Sequence, residues 1–148
     1  MAKSGCSVTI RQSDIETIVG LSNQIPEFDH PPGPENYRRR LQGVPHLILL
    51  AKVGDRPAGF KVGYERDQGF YSWMGGVLPE FRRMGVALAL AEAQENWARS
   101  QGYSSITFKT RNQHKGMLLF ALKNGFDIVG FKERERLEIN RILLRKNL

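Results

Sequence analysis

The sequence predicts a mixed α/β domain, with a mostly antiparallel central sheet of about six to seven strands flanked by helices. Two observations carry this expectation. Short apolar runs with strand-like alternation, punctuated by glycine and proline turns, recur along the chain, and segments of helical period interrupt them early and again after residue 79. A third observation sets the scale: 148 residues with 41% hydrophobic and 25% charged content suit one soluble domain with one core, taken as residues 1–148.

The elements follow in order. Residues 7–11 read as a first strand. Ser13-Asp14-Ile15-Glu16 reads as a capping box with Ser13 at the cap, opening a helix that carries Ile15, Ile18, Val19 and Ser22 and closes before Pro26. Residues 29–34, rich in proline and glycine, form a loop. Pro34-Glu35 starts a short helix with Tyr37 and Leu41 on one face, and Gly43 stops it. His46 to Val53 is a strand, 54–57 a hairpin turn, and Ala58 to Glu65 the returning strand. Another turn leads to Phe70–Val77. From Met84 to Gln101 the period is helical, with Val86, Leu90, Ala93 and Trp97 recurring, and Gly102 ends it. Ser104–Thr110 is a strand and His114–Asn124 a helix closed by Gly125, with His114 offered as its cap. Residues 128–131 and 137–144 are closing strands. Trp97 reads as core.

Composition limits the function classes. No apolar run reaches membrane-spanning length, and no signal-like apolar segment follows the N-terminus, so a cytoplasmic protein without a membrane partner is expected. The single cysteine, Cys6, reads as a small apolar filler. Three histidines and one cysteine at unrelated positions give no metal-ligand spacing, and no metal is expected. The net charge of +7 suggests an anionic partner. Nucleic acid is one such partner, but the basic residues of the C-terminal third alternate with Glu133, Glu135 and Glu138, which argues against a phosphate track.

Chemistry concentrates in residues 75–87, GGVLPEFRRMGVA, a strand, a proline turn, an arginine loop and a helix start. The first turn of a helix presents unpaired N–H groups and a positive dipole end, which attract anions. Gly85 lets backbone approach a phosphate, Ala87 keeps the first turn small, and Arg82 and Arg83 supply charge. The segment reads as a phosphate or pyrophosphate cradle. It is neither a P-loop nor a dinucleotide fingerprint, because the lysine of one and the glycines of the other are missing.

This segment resembles the signature of the GNAT acyltransferase superfamily: Val77-Leu78-Pro79, then Phe81-Arg82, then Arg82-Arg83-Met84-Gly85-Val86-Ala87. Asn112, Asn124-Gly125-Phe126 and Gly130-Phe131 are similar to the family's downstream pattern, and the order of elements agrees over nearly the whole chain. The resemblance implies splayed central strands with the thioester of acetyl-CoA, the acyl donor, in the gap. It implies that the Val77 backbone pairs with the pantetheine arm and that an N–H near Val77 stabilises the developing oxyanion. The amides of Arg83, Met84, Gly85, Val86, Ala87 and Leu88 would hold the pyrophosphate with Arg82 and Arg83 nearby, and Asn112 would bond the pantetheine. It further implies an N-acetyltransferase in which a small-molecule or peptide amine attacks the carbonyl directly, and it brings a homodimer into consideration. A non-catalytic CoA-binding protein is the alternative.

The sequence departs from the family pattern at two positions. Where many members carry a tyrosine that protonates the leaving thiolate, this chain has Ala121, and a tyrosine placed there is expected to be neutral or mildly activating. Where many carry a carboxylate on the strand before the cradle, it has Tyr71 and Ser72. Glu27 and His30, in the loop between the first two helices, are the candidate bases. Glu27 lies between Pro26 and Phe28, which would fix the loop and hold a partly dry carboxylate whose pKa rises. Trp73 and Tyr64 are candidate walls of an acceptor pocket or core fillers.

Overall fold

A computed structural model describes residues 7–148, so Cys6 lies outside the described residues. The chain runs β1 (Val8–Gln12), α1 (Ile15–Ser22), α2 (Pro34–Leu41), β2 (His46–Val53), β3 (Arg56–Arg66), β4 (Gly69–Val77), α3 (Val86–Ser100), β5 (Ser105–Arg111), α4 (Lys115–Lys123), β6 (Asp127–Lys132) and β7 (Arg141–Asn147). Short 3₁₀ turns occupy Pro79–Phe81 and Leu137–Ile139. The strands make one seven-stranded sheet in the order β1-β2-β3-β4-β5-β7-β6. Every pairing is antiparallel except β4 with β5, which the α3 crossover makes parallel. The expected mixed α/β class is therefore the observed one.

Two faces of the sheet can be told apart. On one, Phe60 meets Phe28 of the α1–α2 loop, and Trp73 meets Tyr37 of α2. On the other, the backbone at Gly59 lies against Val86 and that at Gly63 against Gln94, both on α3. Between these layers sit the fully buried Phe60, Phe70, Leu50, Val62, Leu90 and Ile106. Trp97 packs on Phe70 as expected of a core residue.

Local chemistry explains where boundaries moved. The cap of α1 is Asp14, not Ser13: the Asp14 carboxylate accepts from the Thr17 amide at 2.8 Å, while the Ser13 N–H donates to the Ile48 carbonyl at 3.0 Å. Glu16 does not reach back to the cap; it meets Arg38 of α2. The turn before β3 is two residues, with Gly54 at φ +59°, and Pro57 enters the strand beside a bulge, where a missing N–H is tolerated. Arg83 at φ +62° and Gly85 at φ +81° delay α3 to Val86. His114 precedes α4 without a capping bond from its side chain.

The last expected strand is split. Leu137–Ile139 is a 3₁₀ turn, and β7 starts at Arg141. Asn140 is the cause: it is buried, its side-chain oxygen accepts from the Arg134 amide at 2.6 Å, and its carbonyl accepts from the Asn112 amide at 2.8 Å. Local side-chain bonds of this kind compete with a strand ladder.

Candidate functional site

The site begins with a failure of pairing. β4 pairs with β3 from Gly69 to Val77, but with β5 only through Phe70↔Ile106 and Tyr71↔Thr107. β5 meanwhile stays on β7 as far as Arg111↔Arg141. The two parallel strands thus diverge beyond Tyr71, and burial along β4 falls from complete at residues 69–71 to partial from Ser72 to Val77. A bulge starts the divergence. Val62 faces Met74 and Gly63 faces Ser72, which leaves Trp73 as the extra residue. A bulge bends its strand and sharpens the local twist. Gly63 makes room for it, since a Cβ there would lie 2.4 Å from Phe70 Cε2 and 2.8 Å from the Tyr71 carbonyl oxygen.

The C-terminal end of β4 runs straight into the anion cradle. After Pro79–Phe81, which Arg56 anchors by stacking on Phe81 and bonding Glu80 at 2.8 Å, the backbone takes left-handed conformations at Arg83 and Gly85. Such alternation turns successive N–H groups into a concavity. No side chain caps α3, and the first hydrogen bond closing onto it is Ala89 N–H to the Gly85 carbonyl at 3.0 Å. The N–H groups of Val86, Ala87 and Leu88 are therefore free of side-chain caps at the positive end of a 15-residue helix.

Arg82 is committed elsewhere. Its guanidinium grips Glu27 in a two-point ion pair at 2.6 and 2.8 Å, and its Nε donates to the Val77 carbonyl at 3.2 Å. The loop holding Glu27 packs closely on β4: at Gly76 a Cβ would meet Ile25 at 2.7 Å and Phe28 at 3.1 Å. Phe28 thus anchors the loop as the sequence suggests, but the Glu27 pKa moves the other way. Hydrogen bonds from Arg82 hold its carboxyl below the usual range, which outweighs its slight burial. An ionised carboxylate bound at two points is a poor general base. His30 stands 95% exposed beside Asp29 at 3.4 Å.

The remaining candidates are dispersed. Asn112 follows β5 at the open end of the gap, but its amide donates to the Leu137 carbonyl at 3.2 Å and its oxygen accepts from Lys115 at 2.9 Å. Ala121 is buried in a small second core with Ile142 and Leu144, flanked by Phe108, Leu118 and Phe126. Tyr71 lies at the last β4–β5 pair with its ring edge-on to Tyr64 and under the Arg66 guanidinium; burial pushes its hydroxyl pKa up. Ser72 is the first residue past that pair.

Sequence reasoning missed a cationic wall. Pro32, Asn36, Arg39, Arg40 and Trp73 line a cavity of about 460 Å³ on the α2 face. Trp73 forms an aromatic floor with Tyr37 and Tyr64, and Arg40 lies over it at 4.5 Å while donating to the Tyr64 hydroxyl at 3.1 Å. Arg38 of the same triplet points away to Glu16 and Glu35. The signal in sequence was the unbroken run Arg38-Arg39-Arg40 on a one-faced helix, whose members must diverge in direction. Among the described residues there is no group of potential metal ligands, and no helix is long and apolar enough to cross a membrane.

The profile of the acetyltransferase (GNAT) family matches residues 15–126. A curated relative, a thialysine N-epsilon-acetyltransferase of Caenorhabditis elegans, is 23% identical over 141 residues, covering 86% of this chain and 85% of that one. Among solved structures, the ribosomal-protein-S18-alanine N-acetyltransferase of Escherichia coli superposes with a TM-score of 0.82 at 14% identity, covering 95% of this chain and 94% of its own. A GNAT family acetyltransferase of Elizabethkingia anophelis with acetyl-CoA bound gives a TM-score of 0.71 at 18% identity, covering 99% and 100%.

Proposed function

The chain belongs to the acetyltransferase (GNAT) family, whose members are acetyl-CoA-dependent N-acetyltransferases, and from that premise we propose that it acetylates a primary amine by direct attack in a ternary complex. The carrying observation is the gap beyond Tyr71, which runs into an uncapped helix N-terminus at Val86. A phosphate-bearing thioester fits that sequence of features: an extended arm against a strand edge with no partner, then anionic groups at backbone N–H donors.

In this reading the amides of Arg83, Met84, Gly85, Val86, Ala87 and Leu88 bind the pyrophosphate. Arg83 is the cation beside it that meets no carboxylate among the described residues, whereas Arg82 is held by Glu27. The Val77 backbone pairs with the pantetheine arm, and an N–H near it receives the charge that develops on the carbonyl oxygen. The acceptor, a small-molecule or peptide amine, first loses its ammonium proton to water. The nitrogen lone pair then bonds to the acetyl carbon, the nitrogen gives up a second proton to water, and the carbon–sulfur bond breaks to release the CoA thiolate, which water protonates in place of the side chain that Ala121 lacks. Asn112 joins the pantetheine contacts by exchanging its bond to Leu137. The reading takes residues 1–148 as one acyltransferase domain acting in the cytoplasm.

Calorimetry with CoA and a thiol-release assay across amine, peptide and antibiotic panels test this. Binding of CoA with release of thiol dependent on an amine is the expected result. A chain that binds no CoA under any tested condition would sink the reading.

A further inference from the structure

We infer that the acceptor is a small amine that carries a carboxylate, and that Arg39 and Arg40 receive that carboxylate over the Trp73 floor. The inference rests on the acyl-transfer reading above and names the substrate class for the same site.

Three observations converge. The first is position. Trp73 is the bulged residue two positions beyond the last β4–β5 pair, so the cavity it floors opens beside the apex of the gap. A molecule held there by one end presents its other end to the gap. The second is uncompensated charge. Arg39 and Arg40 make no ion pair with any carboxylate among the described residues, although Arg38 next to them makes two. Arg39 bonds the neutral Asn36, and Arg40 bonds the neutral Tyr64 hydroxyl. A guanidinium fork so placed is the group that recognises a planar carboxylate at two points.

The third observation is the field around the site. Across Tyr71 on the same strand pair, a second cavity of about 310 Å³ is lined by Arg66, Lys109 and Arg145 against one carboxylate, Asp67. Lys109 has its pKa lowered by burial and by the nearby charges of Arg66, Lys132 and Arg141. The surroundings of the apex are therefore positive on both sides, which draws anionic acceptors and repels polycations. A cavity of about 460 Å³ accommodates a compact acceptor in full.

The test compares ω-amino carboxylates of increasing length with their carboxamides, in which the amine is remote enough to keep the same basicity. The expected result is a preference for the acids of about tenfold or more in kcat/KM. Arg39→Gln and Arg40→Gln should each raise the KM for the acid and shrink that preference, with acetyl-CoA affinity unchanged by calorimetry. Rescue of the preference by Arg40→Lys in part, but not by Arg40→Gln, separates charge recognition from mere support of Trp73. Equal turnover of acids and amides, turnover of neutral amines alone, or no turnover of any acid by a chain that binds acetyl-CoA would each overturn the inference. Loss of acetyl-CoA binding by the unaltered chain would instead sink the acyl-transfer reading beneath it.

Discussion

Glu27 and Arg82 stand 55 residues apart in sequence and form a two-point ion pair at 2.6 and 2.8 Å, which ties the loop between α1 and α2 to the start of the candidate phosphate cradle. Because the same guanidinium also bonds the Val77 carbonyl, one side chain holds the α1–α2 loop, the β4 terminus and the turn ahead of α3 in a fixed relation.

This pairing sets the pH behaviour of a Glu27→Gln variant. The folded-state pKa of Glu27 is lowered, so its contribution is present above the ordinary carboxylate range and is lost as pH falls through the folded value. At pH 7 and pH 9 the carboxylate is ionised alike. The variant should therefore lose the same fraction of activity at both, with no recovery at high pH. Both side chains are well over a third exposed, so the thermal midpoint should drop by about 3 °C at most. A pH–rate profile decides it: recovery on the alkaline side would restore Glu27 as the proton acceptor.

Gly85→Val tests the cradle itself. Gly85 has φ +81° with open space where a Cβ would go, so backbone conformation and not crowding is the obstacle. Forcing a β-branched residue there costs about 1–2 kcal/mol or turns the N–H groups that follow. CoA affinity should fall about tenfold or more while circular dichroism stays close to the parent. An unchanged calorimetric affinity would remove the helix terminus from the site.

Ala121→Tyr is harmless by the sequence pattern alone, which places a proton donor at that position in many members of the family. In the fold Ala121 is 2% exposed against Ile142 and Leu144. A phenol there overpacks a small core at a cost of about 1–3 kcal/mol. The expected outcome is a lowered urea midpoint with no gain in rate. Equal stability and a faster thiol release would show that the ring finds the gap after all.

Lys61 offers a test of the interior. It sits half-buried on the α3 face of β3, and burial pushes its amine down to about 8, with Glu95 opposing only in part. A lysine with a lowered folded pKa binds protons more weakly folded than unfolded. Stability should thus rise between about pH 8 and the unfolded value of 10.5. Lys61→Met should be more stable than the parent at pH 7, and the difference should fade above pH 10. A pH-independent difference would show the amine to be well solvated.

Much of the fold was legible because periodicity and turn chemistry report local structure directly. His46–Val53 emerged with both ends correct, since a continuous apolar run stands between a proline and a glycine turn. Pro34–Leu41 did so because proline marks the start and Tyr37 and Leu41 share a face. The turn ahead of α3 could be read because its requirements are those of single residues, a glycine at positive φ above all. What could not be read depends on partners distant in the chain. Glu27 appears free in sequence, and its bond to Arg82 reverses the direction of its pKa. Asn140, hidden in an apparently continuous strand, reshapes the C-terminus through Arg134 and Asn112. Arg39 and Arg40 line a cavity only because β4 brings Trp73 beneath them.

The two register pairs joining β4 to β5 have a further consequence for how the molecule holds together. Strands β1 to β4 are neighbours in both sequence and space, and β5, β7 and β6 form a second group in which β7 inserts between the other two. Between them the backbone ladder is nearly absent, so this seam is where exchange of amide hydrogens should be fastest within the sheet interior. An extended ligand lying along the unpartnered edge from Ser72 to Val77 stands in for the missing strand and supplies the hydrogen bonds that the polypeptide omits. Substrate then acts as a removable splint: the saturated protein should exchange more slowly across the seam and melt at a higher temperature, so that how long it survives heating depends on how much acyl donor surrounds it.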